Sequence, residues 1–382
     1  MKIRAAAAVV LIVAMLGCGC QEHAPLPSKT PSDDVRILVW DAKEPHLPGA
    51  SPYSELACRV AEHYAQQFGI AVEVQFKTRQ EMESLLLGEY QGEVPSVVFS
   101  TEWPFVGAGA QDLTGLVPTD DYLEPAASFW TYDDRLMGVP SYVHWLCTAK
   151  RAGTDNSSGM TGYLSGSPGF LHSGLDYGSL DWTGEDICTY AEWVRQTYGL
   201  RSQAVLDLWR QNRIEAIFPV TPHLFKWMKL SENGGEIHLL PIDNPEGTPR
   251  FYFSVPGYVV MEADEEILEF AVGLAQVLAA ARGRWAARAI GCIPALRSDI
   301  PLFDVESGFT REQRVLLMTG FFDSDARISD RTAHGHKIRI CQAVVEVIEE
   351  YLSGEADRDQ LEQGIHAALK SHTIQSTGEE TK

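Results

Sequence analysis

The chain has 382 residues, 45% of them hydrophobic, 22% charged and 10% aromatic. That length exceeds what one hydrophobic core usually serves, so two domains or one large one are expected, and the composition excludes disorder, a collagen-like chain and a multi-span membrane protein. With 31 Lys and Arg against 52 Asp and Glu the formal charge is −21, which argues against a nucleic-acid partner, because phosphate binding is driven by basic side chains.

At the N-terminus Lys2 and Arg4 precede an uncharged apolar stretch of 12 residues, Ala5 to Leu16. A membrane-spanning helix needs ~20, so the stretch has the proportions of a signal peptide. Met15-Leu16-Gly17-Cys18 resembles a bacterial lipobox, which implies removal of residues 1–17 and lipidation of Cys18; Cys20 is a second candidate, and an ordinary cleaved signal is the plainer reading. Residues 18–34 carry Pro25, Pro27 and Pro31 without a periodic pattern and read as a disordered tether. The body's cysteines, Cys58, Cys147, Cys188, Cys292 and Cys341, form no CxxC; nothing selects a disulfide, and buried free thiols are expected.

Val35 to Trp40 reads as a strand, and Ser51-Pro52 as an N-cap followed by proline at the first helical position. Leu56, Val60, Ala61, Tyr64 and Phe68 recur at helical spacing until Gly69 stops the helix. Val72, Val74 and Phe76 alternate as a strand; Met82 to Leu87 is a short helix; Val97 to Phe99 is a buried strand. This β-α-β-α-β order implies a parallel sheet with helices on both faces, whose ligands sit beyond the carboxyl ends of the strands. Trp40-Asp41 and Ser100 to Trp103 are therefore candidate cleft positions.

Arg151 to Gly184 is rich in Gly, Ser, Asp and Tyr and reads as an exposed loop or a lid. Helical patterns return at Tyr190 to Tyr198 and Ala204 to Trp209, and Ala216 to Val220 reads as a strand. Phe251 to Met261 is expected to be one strand and Asp264 to Gly283 a long helix. Two helices close the chain, Ile338 to Leu352 and Asp357 to Leu369, with frayed residues beyond His372. No internal repeat of fixed period occurs.

Several segments, in order, resemble the family 1 extracellular solute-binding proteins, the receptors of ABC importers. Val35 to Trp40 with its following helix and strand looks like that family's opening. Glu93-Val94-Pro95-Ser96-Val97-Val98-Phe99 resembles its "P-D-V-V" strand, with Ser96 in place of Asp, and Tyr132 to Pro140 resembles its "DG-K-L-Y-G-V-P" segment. Arg213 to Trp227 looks like its helix-to-strand stretch with a downstream Trp, Leu240 to Val260 its "G-Y-V-I" hairpin, and Gly291-Cys292-Ile293-Pro294-Ala295 its "G-x-I-P-A" element; Tyr351 to Leu369 resembles its closing helices. The match covers roughly residues 35–150 and 210–370. The family's "Y-N-K" and "P-x-T-W-D-E-L" patterns are missing from Arg151 to Ser202.

The resemblance implies a two-lobed α/β fold of the type II periplasmic-binding-protein kind, each lobe a mainly parallel sheet flanked by helices, with the ligand cleft at the hinge. Lobe 1 would comprise 35–145 and 258–305, lobe 2 146–257 and 306–373, with 374–382 a disordered tail. It implies a monomeric, cofactor-free receptor that takes a small solute, most often a sugar or oligosaccharide, and delivers it to an ABC permease. Sugar recognition needs aromatic platforms and polar side chains. The candidates are Trp40, Asp41, Glu102, Trp103, Tyr142, Trp145, Trp227 with His223 nearby, and more weakly Tyr258 and Arg297; Trp130, Trp182, Trp193, Trp209 and Trp285 read as packing residues.

Catalytic motifs are absent: there is no GxSxG, HExxH or P-loop, and Gly107-Ala108-Gly109 lacks the third glycine of a dinucleotide fingerprint. His334 and His336 lack a third ligand and read as solvated, and Asp323, Asp325 and Asp330 lack calcium-loop spacing, so no metal is expected. The alternatives that stay open are an exported carbohydrate-active enzyme using two carboxylates, a polyamine or other cationic solute drawn by Asp41, Glu44 and Glu102, and a non-transporting sensor module. The expected place of action is outside the cytoplasm, at the membrane through the lipid anchor.

Overall fold

The computed structural model describes residues 35–43, 52–86, 90–100, 109–152, 161–163, 184–198, 205–231, 236–242, 251–261, 264–323 and 335–379. The signal peptide, Cys18, the tether, Glu44, Glu102, Trp103, Trp182 and most of 151–202 lie outside them. The chain divides into two compact units: one holds the residues up to Val143, 255–289 and 293–303, the other 144–254, 290–292 and those from Asp304 onward.

The first unit is built on β1 (Arg36–Ala42), whose residues Ile37 to Asp41 are all buried. A strand apolar on both faces belongs in the middle of a covered parallel sheet, and β1 lies between β2 (Ala71–Lys77) and β3 (Val97–Ser100), parallel to both. Helix α1 (Tyr53–Phe68) presents Tyr53, Ala57, Val60, Ala61 and Tyr64 as one buried stripe and ends on Gly69 at φ 69°, as its sequence predicts. Its start differs by one residue: Pro52, with ψ 133°, is the N-cap and Tyr53 the first helical residue, since a residue with extended ψ cannot begin the helix. Helix α2 (Arg79–Leu86) and the short α3 (Glu124–Phe129) follow. A hairpin of β4 (Thr131–Tyr132) and β5 (Arg135–Leu136) precedes β6 (Val139–Pro140).

The second unit is organised around the ten-residue β7 (Tyr142–Arg151), which begins at the end of the first unit. After β8 (Thr161–Tyr163) come α4 (Gly184–Tyr198), α5 (Val205–Arg210), β9 (Ala216–Val220), α6 (Pro222–Ser231) and β10 (Ile237–Leu240). The expectation of a mainly parallel sheet in each lobe fails here. The β9-α6-β10 order does place two strands in the same direction, but β7 lies between them, antiparallel to both. A strand from an earlier part of the chain has been inserted into what reads as a simple crossover, and among the described residues of this unit only the β8–β9 pair is parallel.

Phe251 to Met261 forms two strands rather than one. β11 (Tyr252–Ser254) pairs with β7 and β12 (Gly257–Val260) with β3 and β6, antiparallel throughout. Pro256, which has no N–H to give a ladder, falls at the break. Helix α7 (Glu265–Ala289) runs past the expected Gly283, and the sequence then forms β13 (Ile293–Pro294), α8 (Ile300–Glu306) and α9 (Arg311–Phe322), the last with a Thr310/Gln313 capping box. Helices α10 (Gly335–Ser353) and α11 (Arg358–Glu379) close the chain, packed through Leu361 and Ile365 as their spacing predicts. The expected frayed tail is helical as far as Glu379: backbone hydrogen bonding propagates from a packed helix into weak helix formers more readily than it nucleates in them.

Candidate functional site

At the carboxyl end of β1, Asp41 is fully buried, and its charge is answered from within the first unit. Oδ1 accepts from Nη1 of the buried Arg282, which lies on α7, and from the backbone N–H of Ala42 at 2.7 Å. Oδ2 accepts from the Tyr258 hydroxyl at 2.7 Å. Tyr53, on α1, places its hydroxyl 3.1 Å from that of Tyr258 and donates to the Leu278 carbonyl at 3.2 Å. The Arg282 guanidinium lies 3.5 Å from the Phe99 ring centroid and 4.3 Å from that of Tyr53. Burial, then the Asp41 charge, pushes the Tyr258 hydroxyl well above its usual pKa, which keeps it protonated and donating. The network ties β1, β12, α1 and α7 together around a neutralised carboxylate.

The remaining sequence candidates fall in different places. Trp40 is buried with its ring edge-on to Tyr90 at 4.6 Å and the Lys77 ammonium 4.7 Å from its centroid. Trp145 is buried in the second unit against Phe225 and Phe309, its indole N–H donating to the Gly291 carbonyl at 3.4 Å. Tyr142 is nearly buried on β7 opposite Pro294. Arg297 is exposed and donates from Nε to the Tyr122 carbonyl at 2.6 Å. Among the described residues, Asp41 and Tyr258 are sequence candidates that share one hydrogen-bonded cluster. Of the tryptophans read as packing residues, Trp130 and Trp209 are buried, Trp193 stacks on Tyr190 at 5.8 Å and Trp285 meets Tyr53 at 5.5 Å.

In the second unit, α6 buries Pro222, Phe225 and Met228 and leaves His223, Lys226 and Trp227 half-buried on the opposite side. The i, i+3, i+4 spacing of those three makes them one face. The Arg210 guanidinium of α5 lies 4.5 Å from the Trp227 ring centroid and pairs with Asp207 at 3.1 Å. Burial, and then the neighbouring Lys226, holds His223 below its usual pKa; burial lowers Lys226 as well, partly offset by Glu306. A half-buried indole flanked by cationic groups can stack on a sugar ring and supply hydrogen-bond donors to its substituents.

A third feature is a hollow of about 860 Å³ in the first unit, between the Thr114 to Asp121 segment and the β4–β5 hairpin. Its wall mixes Leu116, Val117 and Pro118 with Asp120, Asp121 and Asp134. The hairpin turns through Asp133 and Asp134 at φ 47° and 60°, a conformation that Asp tolerates better than most residues. Among the described residues no group of three or more His, Cys, Asp or Glu is placed to hold a metal ion.

Three participants escape the sequence-based reading. Arg282 occupies the apolar stripe of α7 with Ala271, Ala275, Leu278 and Ala286, and a cation there requires a buried acid. Asp41, the one charge in the interior of an otherwise apolar strand, is its natural partner. Lys226 could have been found from charge alone, because α6 contains no acidic residue in a strongly acidic chain, whereas Arg210, on α5 with Asp207, gives no such signal.

No protein-family model and no curated protein matches the sequence. Solved structures match along most of it. The sugar-binding protein MalE from Xanthomonas citri is similar over 91% of this chain and 100% of its own, with a TM-score of 0.64 and 15% identity. The maltotriose-binding protein of Thermus thermophilus, bound to maltotriose, is similar over 88% of this chain and 99% of its own (TM-score 0.57, 18% identity). The maltose/maltodextrin-binding domain MalE from Bdellovibrio bacteriovorus, also bound to maltotriose, matches over 89% and 100% (TM-score 0.59, 12% identity). The chain therefore has the mixed α/β fold of these binding proteins, the fold that its motif order implies.

Proposed function

We propose that this protein is an extracytoplasmic receptor that binds a sugar or oligosaccharide and passes it to an ABC permease. The observation that carries the reading is the match over the full length of several solved proteins whose names record sugar binding, two of them holding maltotriose. The order of sequence motifs along 35–150 and 210–370 supports it independently. The apolar stretch Ala5 to Leu16 followed by Gly17-Cys18 supports export and a lipid anchor at Cys18. We take Trp227, with its half-buried ring, as the second unit's contribution to ligand stacking. Trp40, Asp41, Trp145 and Tyr258 serve in this reading to hold the strands that carry the binding surface. Binding without turnover is part of this reading, supported by neighbours whose names record binding, and the charge balance of the Asp41 cluster favours a sugar over a cationic solute, because Arg282 already answers that carboxylate.

A thermal-shift screen of the full chain in mild detergent tests the proposal. A ligand at ~100 times its dissociation constant stabilises by ~2.7 kcal/mol and raises the melting temperature by a few degrees. A saturable shift with a saccharide, recovered unchanged, is the expected result. A shift with polyamines alone would replace the ligand class, and consumption of the saccharide would turn the reading to an enzyme.

A further inference from the structure

We propose that the indole N–H of Trp40 is a hydrogen-bond donor for a neutral saccharide, kept covered in the free protein by the ring of Tyr90. The inference rests on the receptor reading and adds a direct ligand contact to the part Trp40 plays in bracing β1. Trp40 lies near the carboxyl end of β1, between two parallel strands, the end at which such sheets receive ligands. Its Nε1 is buried from solvent and has no hydrogen-bond partner among the described residues. A buried indole N–H is normally satisfied, so one that is not needs a reason. The neighbouring Asp41 does not supply it: successive strand residues point to opposite faces, and the Asp41 carboxylate is already engaged by Arg282, Tyr258 and the Ala42 N–H. An aromatic ring, all that Tyr90 offers, is a weak acceptor at best.

The side chain that covers Trp40 is lightly held. Tyr90 follows α2 in a stretch without regular structure, tied by its backbone N–H to the Ser84 carbonyl at 3.1 Å. Its ring meets that of Trp40 at 4.6 Å with the planes 85° apart. Its hydroxyl lies over Gly92, where a Cβ would stand 2.3 Å away, so the ring rests on Trp40 only because residue 92 has no side chain. An aromatic pair of this kind returns less than an orphaned buried donor costs, so exchanging Tyr90 for a sugar oxygen that accepts from Nε1 is favourable. Beside the same indole the Lys77 ammonium lies 4.7 Å from the ring centroid and 3.5 Å from the Glu81 carboxylate. That pair offers a donor and an acceptor to the remaining hydroxyls of a sugar, whereas an N–H dipole next to an ammonium repels a cationic solute.

NMR of the indole N–H groups of the full chain in mild detergent tests this, with Trp40→Phe identifying the Trp40 signal among those of the nine tryptophans. The probes are maltotriose, cellotriose and xylotriose, together with any saccharide that the thermal screen returns. In the free protein the Trp40 proton should exchange slowly with solvent, and on saturation with a bound probe its signal should move downfield as the N–H gains an acceptor. Gly92→Ala, which pushes the Tyr90 ring off Trp40, should speed that exchange by about tenfold or more, tighten probe binding by about threefold, and leave the melting temperature near that of the parent. Exchange indifferent to Gly92→Ala, or a bound saccharide that leaves the Trp40 signal in place, would overturn the inference and leave the receptor reading standing. Failure of every saccharide to bind would overturn both.

Discussion

At the residue scale the Asp41–Arg282 pair makes the sharpest energetic statement. Both groups are buried, so removing one leaves an uncompensated charge, typically at a cost of ~3–5 kcal/mol, whereas replacing both with apolar residues of similar volume is often nearly neutral. Asp41→Leu should therefore lower unfolding stability severely in urea titrations, and Asp41→Leu with Arg282→Met should recover most of the loss. Equal losses in the single and double variants would show that the ion pair is not what the site requires. His223 sets a second expectation. Its folded pKa is depressed, so the unfolded chain takes up more protons near pH 6, and stability falls as pH drops through about 6.5. His223→Gln should flatten that part of the stability–pH curve; an unchanged curve would contradict the assigned burial. Asp41 and Tyr258 both stand out in the sequence, but as ligand contacts. Their joint role is hidden because Arg282 lies 241 residues after Asp41, a separation that local patterning cannot bridge.

At the element scale, glycines report which close approaches the fold depends on. Gly283 lies within α7, where alanine would ordinarily stabilise by about 0.8–1 kcal/mol. A Cβ there would stand 2.4 Å from the Ser141 backbone carbonyl oxygen, so Gly283→Ala should destabilise by about 1–3 kcal/mol instead. Gly69→Ala, at φ 69° with no atom in the way of a Cβ, should lose only the ~1 kcal/mol of the left-handed cap. Thermal melts of the two variants separate steric from conformational cost. The helices and the β1–β3 core were legible because their periodicity is local: Tyr53, Ala57, Val60, Ala61 and Tyr64 declare a buried stripe without reference to anything else. The antiparallel second sheet was not legible, because the position of β7 between β9 and β10 depends on pairing across the chain, and the β9-α6-β10 segment carries no sign of it.

At the scale of the whole molecule, the solved structures found match this chain at 11–18% identity, so the fold is shared while most side chains differ. Motif order is legible at that level of difference because a fold needs its turns, breaks and buried strands in sequence, as in Tyr132 to Pro140 and Gly291 to Ala295. Ligand identity is not legible in the same way, since it depends on a few side chains, of which we propose Trp227 as one. The most direct test of the central claim is a calorimetric titration of the full chain with neutral and anionic oligosaccharides, followed by chromatography of the recovered sugar. One-to-one saturable binding with the sugar returned intact is the predicted result. No binding to any saccharide, or its steady cleavage, would contradict the account.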